Sequence, residues 1–340
     1  MNYFRQRFID ALNEEGDIEV AGQVWTRHQV LETMDAAAER DVFNGWVDEQ
    51  KIAAKDRCHD FLRDYGCLQR FQAMMARHRN GFVLPFVGAG MSLASGFRLW
   101  GDFLTQLMAD FPEALPDVQA HLALYEYEEA AERVLQTLGA GVLAEEISNQ
   151  MGDHLPAALA GPVQLFPALF RTEVFTTNFD YVLDRAYGNA DAGFAREFKG
   201  SELRQAAQRM ANDPHCLLRL HGEGATAEDR VLTLSEYNAA YAENAGLRGA
   251  LTSLIGTKSL LFMGCSLNTD RTFQALREIR DAANGEAVRH YAFLPFPGEA
   301  RRATRRIALG EAEIHPIYYP PEDHDAGIED LLITMMEGGL

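Results

Sequence analysis

At 340 residues the chain is long enough for one large domain or two smaller ones. It is 47% hydrophobic and 10% aromatic, as globular proteins are, and no stretch approaches the ~18 uninterrupted apolar residues of a membrane span. A formal charge of −19 argues against nucleic acid as a direct partner, because phosphate backbones are held by clustered Lys and Arg.

The opening MNYFRQRFIDALNEEGD carries charges where a secretory signal needs an apolar run, so the chain reads as cytoplasmic, with no membrane partner. Residues 1–80 read as a separate, mainly helical region with a short extended stretch at Asp17–Trp25. Leu31, Met34, Phe43, Trp46, Phe61, Leu62, Tyr65, Phe71 and Met74 recur at roughly helical spacing, as core or partner contacts. Asn80-Gly81 is a turn signal that closes the region.

From residue 82 the pattern changes. Short apolar runs alternate with helical stretches: FVLPFV (82–87), EVFTT (173–177), CLLRL (216–220), SLLFMG (259–264), HYAFLPF (290–296) and EIHPIYY (313–319). This pattern predicts an α/β, Rossmann-like, doubly wound and mostly parallel sheet over residues 81–340. Pro85 lacks a ladder donor and is expected at a bulge or near its strand's start. Between Leu99 and Phe170 only helical pattern appears, so a helical insertion at about 101–170 is expected to cap a site. In its ALYEYEEAAERVLQTL stretch, Leu124, Ala131, Val134, Leu135 and Leu138 face inward.

Ligands of doubly wound sheets bind beyond the carboxyl ends of the strands. Small, hydrogen-bonding or titratable residues follow four of the runs: Gly88-Ala89-Gly90-Met91-Ser92, Asn178-Phe179-Asp180, His221-Gly222-Glu223-Gly224 and Gly264-Cys265-Ser266-Leu267-Asn268. Asn178 and Ser266 would also serve as helix caps, but four such ends together point to a binding site. The glycines at 88, 90 and 96 do not fit GxGxxG, because position 93 is Leu, and no GxxxxGK[ST] occurs. A dehydrogenase is disfavoured and a P-loop excluded. Cys58, Cys67, Cys216 and Cys265 form no CxxC pair and no zinc spacing, so they read as core residues and no metal is expected. His215, His290 and His315 read as structural or exposed.

GAGMSLASGFRLWGDFL, TTNFD, RLHGEG and FMGCSLNTD resemble, in order, the successive motifs of the sirtuin-like superfamily. They are most similar to its bacterial branch of antiviral defence proteins that destroy NAD. The resemblance spans roughly residues 82–320. It implies that Gly88, Ala89, Gly90 and Ser92 line the NAD phosphates and ribose, with Thr177 beside them in the TTNxD pattern. It further implies that Asn178 works beside the nicotinamide ribose, that Asp180 contacts the nicotinamide side, and that His221 is the catalytic histidine. Gly264 and Ser266 would hold the adenosine half, with Asn268 or Asp270 nearby. Phe97-Arg98 departs from the Ile/Val-Pro usual after the third glycine. Deacylating members carry a zinc ribbon on two CxxC pairs, absent here, so hydrolysis of NAD+ to nicotinamide and ADP-ribose is expected. The alternatives are a non-catalytic NAD or ADP-ribose sensor acting through assembly, and a protein ADP-ribosyltransferase or deacylase. Such a toxic activity implies control by a homo-oligomer, a nucleotide signal or a separately encoded regulatory defence protein, with residues 1–80 as the candidate contact for assembly or partner. No second effector or sensor domain is recognisable in the sequence.

Overall fold

Strands whose every residue is apolar must be covered on both faces, and that requirement organises this molecule. A computed structural model describes residues 2–155, 158–203, 206, 209, 215–242, 258–268, 271–282 and 288–340. The N-terminal region contains helix α1 (Asn2–Asn13), an antiparallel hairpin of β1 (Ile18–Val20) and β2 (Gln23–Trp25), then α2 (Arg27–Met34), α3 (Ala36–Asp64) and α4 (Leu68–Arg79). Asp35 caps α3 by accepting from the N–H groups of Ala37 and Ala38. The mainly helical region predicted over residues 1–80 contains this 29-residue helix, followed by α4 after a turn at Gly66. Phe43, Phe61, Leu62, Phe71 and Met74 are buried as expected, whereas Met34 is exposed.

Seven parallel strands form the main sheet, in the order β5-β6-β4-β3-β7-β8-β9. They are β3 (Val83–Val87), β4 (Val174–Thr176), β5 (Arg196–Lys199), β6 (Cys216–Arg219), β7 (Ser259–Met263), β8 (His290–Pro295) and β9 (Ile314–Tyr319). Every residue of β3, β4, β6 and β7 is buried. Six strands lie where the apolar runs predict them. The seventh, β5, reads REFK and buries only Phe198, as an edge strand can.

Pro85 sits inside the central strand β3, opposite Leu261 of β7. The Gly88 N–H donates to Met263 O, so even-numbered amides of β3 aim at β7 and the donor missing at Pro85 falls on the β4 flank. There the ladder to β4 begins only at Phe86, so no bond is lost.

Between β3 and β4 the chain is helical: a 3₁₀ turn (Ala89–Ser95), then α5 (Trp100–Leu107), α6 (Leu115–Ala123), α7 (Tyr127–Leu138), α8 (Ala140–Met151) and α9 (Phe166–Leu169). Ala131 and Val134 are fully buried and Leu135 and Leu138 pack against the core. Leu124 is exposed, contrary to expectation. It lies in a break between α6 and α7, where Tyr125 takes a left-handed φ of 63° and the helical period restarts. Further helices are α10 (Val182–Gly188), α11 (Leu234–Ala240), α12 (Arg271–Ala282), α13 (Glu299–Gly310) and α14 (His324–Met336).

Helix α3 packs against α14 and β9, and Arg57 of α3 forms a two-pronged pair with Asp330 of α14 at 2.9 and 2.7 Å. One hydrophobic cluster therefore runs from Phe4 and Phe8 through the sheet to Met335. No helix among the described residues is long and apolar enough to cross a membrane.

Candidate active site

The chain leaves β3 toward β4 on one side, whereas β7, on the other side of β3, leads away to β8. Loops that diverge in this way leave a crevice at the carboxyl ends of the two strands. Its floor is made by two loops in unusually close contact. Gly90 N–H donates to Gly264 O at 3.0 Å, and Met91 N–H to Gly88 O at 3.1 Å. A Cβ on Gly88 would lie 2.6 Å from Gly264 O, and one on Gly90 would lie 2.9 Å from Gly264 Cα. Gly264 itself has φ +69°, and its Cβ would lie 2.5 Å from Met91 N. These three glycines are required by the packing of backbone on backbone.

Above the floor lies a cavity of about 390 Å³, within the range of small-molecule sites. Gly88, Ala89, Thr177, His221, Gly264 and Ser266 reach its wall from the ends of β3, β4, β6 and β7. Trp100 and Phe179 meet edge to face at 4.9 Å on the same wall. Val231, Leu232 and Tyr237 line one further side, and the insertion supplies another through Tyr125–Glu129. That acidic and aromatic stretch was not singled out in the sequence. Cys265 also lines the cavity and is partly exposed, whereas Cys58, Cys67 and Cys216 are buried as read.

Gly90, Ser92, Asn178, Asp180 and Asn268 do not line the cavity. Thr177 and Phe179 line the cavity, and Asn178 between them does not. Asn178, only 4% exposed, donates from Nδ2 to Ser92 Oγ at 3.3 Å, and its Oδ1 has no hydrogen-bond partner. The Ser92 hydroxyl also bonds the Asp180 carboxylate, which accepts the Val182 N–H at 3.0 Å. Burial pushes the Asp180 pKa up, against those hydrogen bonds and the nearby Arg219. Asp270 lies outside the described residues.

Arg219 closes this buried layer. It is the last residue of β6 and 1% exposed, with its guanidinium 4.8 Å over the Tyr181 ring. It donates to Asp180 O at 2.9 Å and to Asn178 O at 3.4 Å, bonds Asp184, and pairs with Glu197 at 3.5 Å. Sequence reasoning missed it, although a cation in the buried run CLLRL is itself a sign of obligatory partners. Glu197 is pushed up to about 7, first by burial and then by its hydrogen bond with Asp184.

His221 is 6% exposed and both its ring nitrogens are bonded, Nε2 to Tyr241 Oη at 2.8 Å and Nδ1 to Tyr237 Oη at 3.2 Å. Burial lowers its pKa to about 3, so the imidazole is neutral at neutral pH. Its backbone is fixed by Val231 N–H on His221 O, and Gly222 (φ +81°) lets the loop pass Arg230 closely. His215 bonds the carbonyls of Thr172 and Ala192 and is structural. No group of three or more His, Cys, Asp or Glu among the described residues is arranged to hold a metal.

A parallel sheet with a crevice at its strand-order reversal is a doubly wound α/β fold, and proteins of that fold bind their ligands in such a crevice. Residues 172–317, from the approach to β4 as far as β9, match the model of the SIR2-like domain family. Two curated proteins named NAD(+) hydrolase ThsA are similar to it. The protein from Acinetobacter baumannii (strain 532279) is 22% identical over 212 residues, covering 62% of this chain and 42% of that protein. The one from Cytobacillus dafuensis is 25% identical over 227 residues, covering 65% and 42%. The match thus spans about two fifths of the length of these relatives.

Proposed function

We propose that the chain hydrolyses NAD+ with water to nicotinamide, ADP-ribose and a proton, as a triggered effector of antiphage defence in the cytoplasm. The observation that carries this reading is the single cavity on which Ala89, Thr177, His221 and Ser266 converge from four strand ends. The names of the two relatives, and the SIR2-like domain, support NAD+ as the substrate.

The chemistry asks little of an acid. Nicotinamide leaves as a neutral pyridine, and the bonding pair departs with it to leave an oxocarbenium-like ribose that water attacks, as in glycoside cleavage. Asn178 lies between two residues of the cavity wall, and we assign its unpartnered Oδ1 to a ribose hydroxyl or water that reaches past that wall. A base with a pKa near 3 holds a proton poorly at neutral pH, so solvent takes the proton, and His221 acts on the water or hydroxyl through Tyr237, whose hydroxyl bonds its Nδ1 and which also lines the cavity. The Tyr125–Glu129 wall suits the cationic pyridinium end. We further assign control to a homo-oligomer or a partner protein that contacts residues 1–80, with the division near residue 80 as the domain boundary.

The test is incubation of the protein with NAD+, alone and with candidate activators, followed by chromatography for nicotinamide and ADP-ribose. Asn178→Ala and His221→Ala are expected to abolish turnover while preserving the circular dichroism spectrum. Tight NAD+ binding without turnover under every condition would favour the sensing module, and ADP-ribose on a protein acceptor would favour a transferase.

A further inference from the structure

We infer that Tyr237 and Tyr241 are positioning residues that clamp His221 in one orientation and one tautomer, and that the helical insertion fixes the clamp through Glu132. The inference rests on the hydrolase reading for its role in turnover, but the clamp itself stands on geometry alone.

The two tyrosines are four residues apart at α11 and the residue after it, so their side chains project from one helix face. Their rings are 5.9 Å apart and nearly parallel, at 21°. Each meets the His221 ring edge to face, at 5.0 Å for Tyr237 and 6.0 Å for Tyr241. A neutral imidazole has one N–H donor and one bare nitrogen. Two hydroxyls on its two nitrogens must therefore play opposite parts, one accepting from the ring and the other donating to it. Reversing the tautomer would require both hydroxyls to rotate together. The ring is held from both ends.

The helix carrying the clamp is itself held. Thr233 caps α11 in a capping box with Glu236. Glu132 of α7 then accepts from both the Ser235 N–H at 3.1 Å and the Ser235 hydroxyl at 2.9 Å. Residues Tyr127–Glu129 at the start of the same α7 line the cavity, so one helix touches both the ligand space and the support of its histidine. Tyr237 and His221 line the cavity, whereas Tyr241 does not. That difference separates positioning from binding.

The experiment uses Tyr241→Phe in the full chain, with two readouts. Nitrogen-15 NMR of the His221 ring is expected to show one tautomer in the unaltered protein and a displaced Nε2 resonance in the variant, with Nδ1 little moved. Nicotinamide release is expected to lose roughly tenfold in kcat, with KM within about twofold, because one hydrogen bond is lost off the cavity wall. Glu132→Ala, on the surface, should lower kcat in the same direction by a smaller factor and again leave KM. Unmoved Nε2, or wild-type kcat in Tyr241→Phe, overturns the clamp. An unaltered protein that shows the NMR signature yet releases no nicotinamide refutes the hydrolase reading and upholds the clamp.

Discussion

Replacing Arg219 with Met should cost the protein about 2.5–5 kcal/mol and disconnect the buried layer behind the cavity. Methionine keeps the length of the side chain but none of its five donors. One charge-assisted bond, to Asp180 O at 2.9 Å, accounts for about 1.5–3 kcal/mol, whereas the 3.4 Å contact to Asn178 O adds little. Stranding the acids of a fully buried pair would add ~3–5 kcal/mol. Here the side chains of Asp184 and Glu197 are 29% and 32% exposed, so water recovers much of that loss and about 1–2 kcal/mol remains. Arg219→Lys retains the charge but cannot reach two carbonyls and two carboxylates at once, and should lose about half as much. Urea unfolding followed by tryptophan fluorescence measures both variants. A Met variant within 1 kcal/mol of the unaltered protein, or a Lys variant equal to it, would show that Arg219 is not the keystone argued here.

Gly264→Ala should destabilise the fold by at least ~2 kcal/mol and abolish NAD+ binding. The left-handed φ of 69° penalises an L side chain by about 1–2 kcal/mol, and the Cβ at 2.5 Å from Met91 N must push the two loops apart. An unchanged melting curve for this variant would refute the packing account of the glycine. Stability should also depend on pH with two opposed contributions. His221 and His290 are held near 3 in the fold against an ordinary 6.5, so between those values only the unfolded chain takes up their protons and stability falls as pH drops. Glu197 is held near 7 against 4.5, so between those values only the folded chain keeps its proton and stability falls as pH rises. Urea midpoints at pH 7.5, 6 and 5 should therefore show a steeper acid-side loss in Glu197→Gln and a shallower one in His290→Gln.

The sheet was legible because a strand buried on both faces has to be an apolar run, and β3, β4, β6, β7, β8 and β9 are such runs. REFK escaped because an edge strand with one buried residue carries no such signature. The strand ends that form the site were legible for a related reason: small and polar residues directly after buried runs have few structural uses. What the sequence could not convey is which way each side chain points. Thr177 and Phe179 line the cavity while Asn178 between them bonds Ser92, and no motif contains that arrangement. Arg219, Tyr237 and Tyr241 were passed over because their partners lie on other strands and helices, at distances along the chain that spacing does not encode.

Asn178 is buried between two residues of the cavity wall, which makes its alanine variant informative in a way that the His221 variant is not. Its side chain contributes one long bond to the fold, the 3.3 Å contact to Ser92 Oγ, and that bond is near the limit at which hydrogen bonds still stabilise. Its backbone makes the stronger contacts: the N–H to Thr176 Oγ1 at 3.0 Å, and the carbonyl facing Arg219. Truncation to alanine spares both and also removes an unpartnered buried oxygen, which is itself unfavourable. Asn178→Ala is therefore expected to unfold within ~0.5 kcal/mol of the unaltered protein, or slightly later. A side chain whose loss leaves the fold unchanged is available to turnover. Loss of nicotinamide release at undiminished stability would assign Asn178 to turnover. A marked loss of stability would instead make Asn178 a structural partner of Ser92.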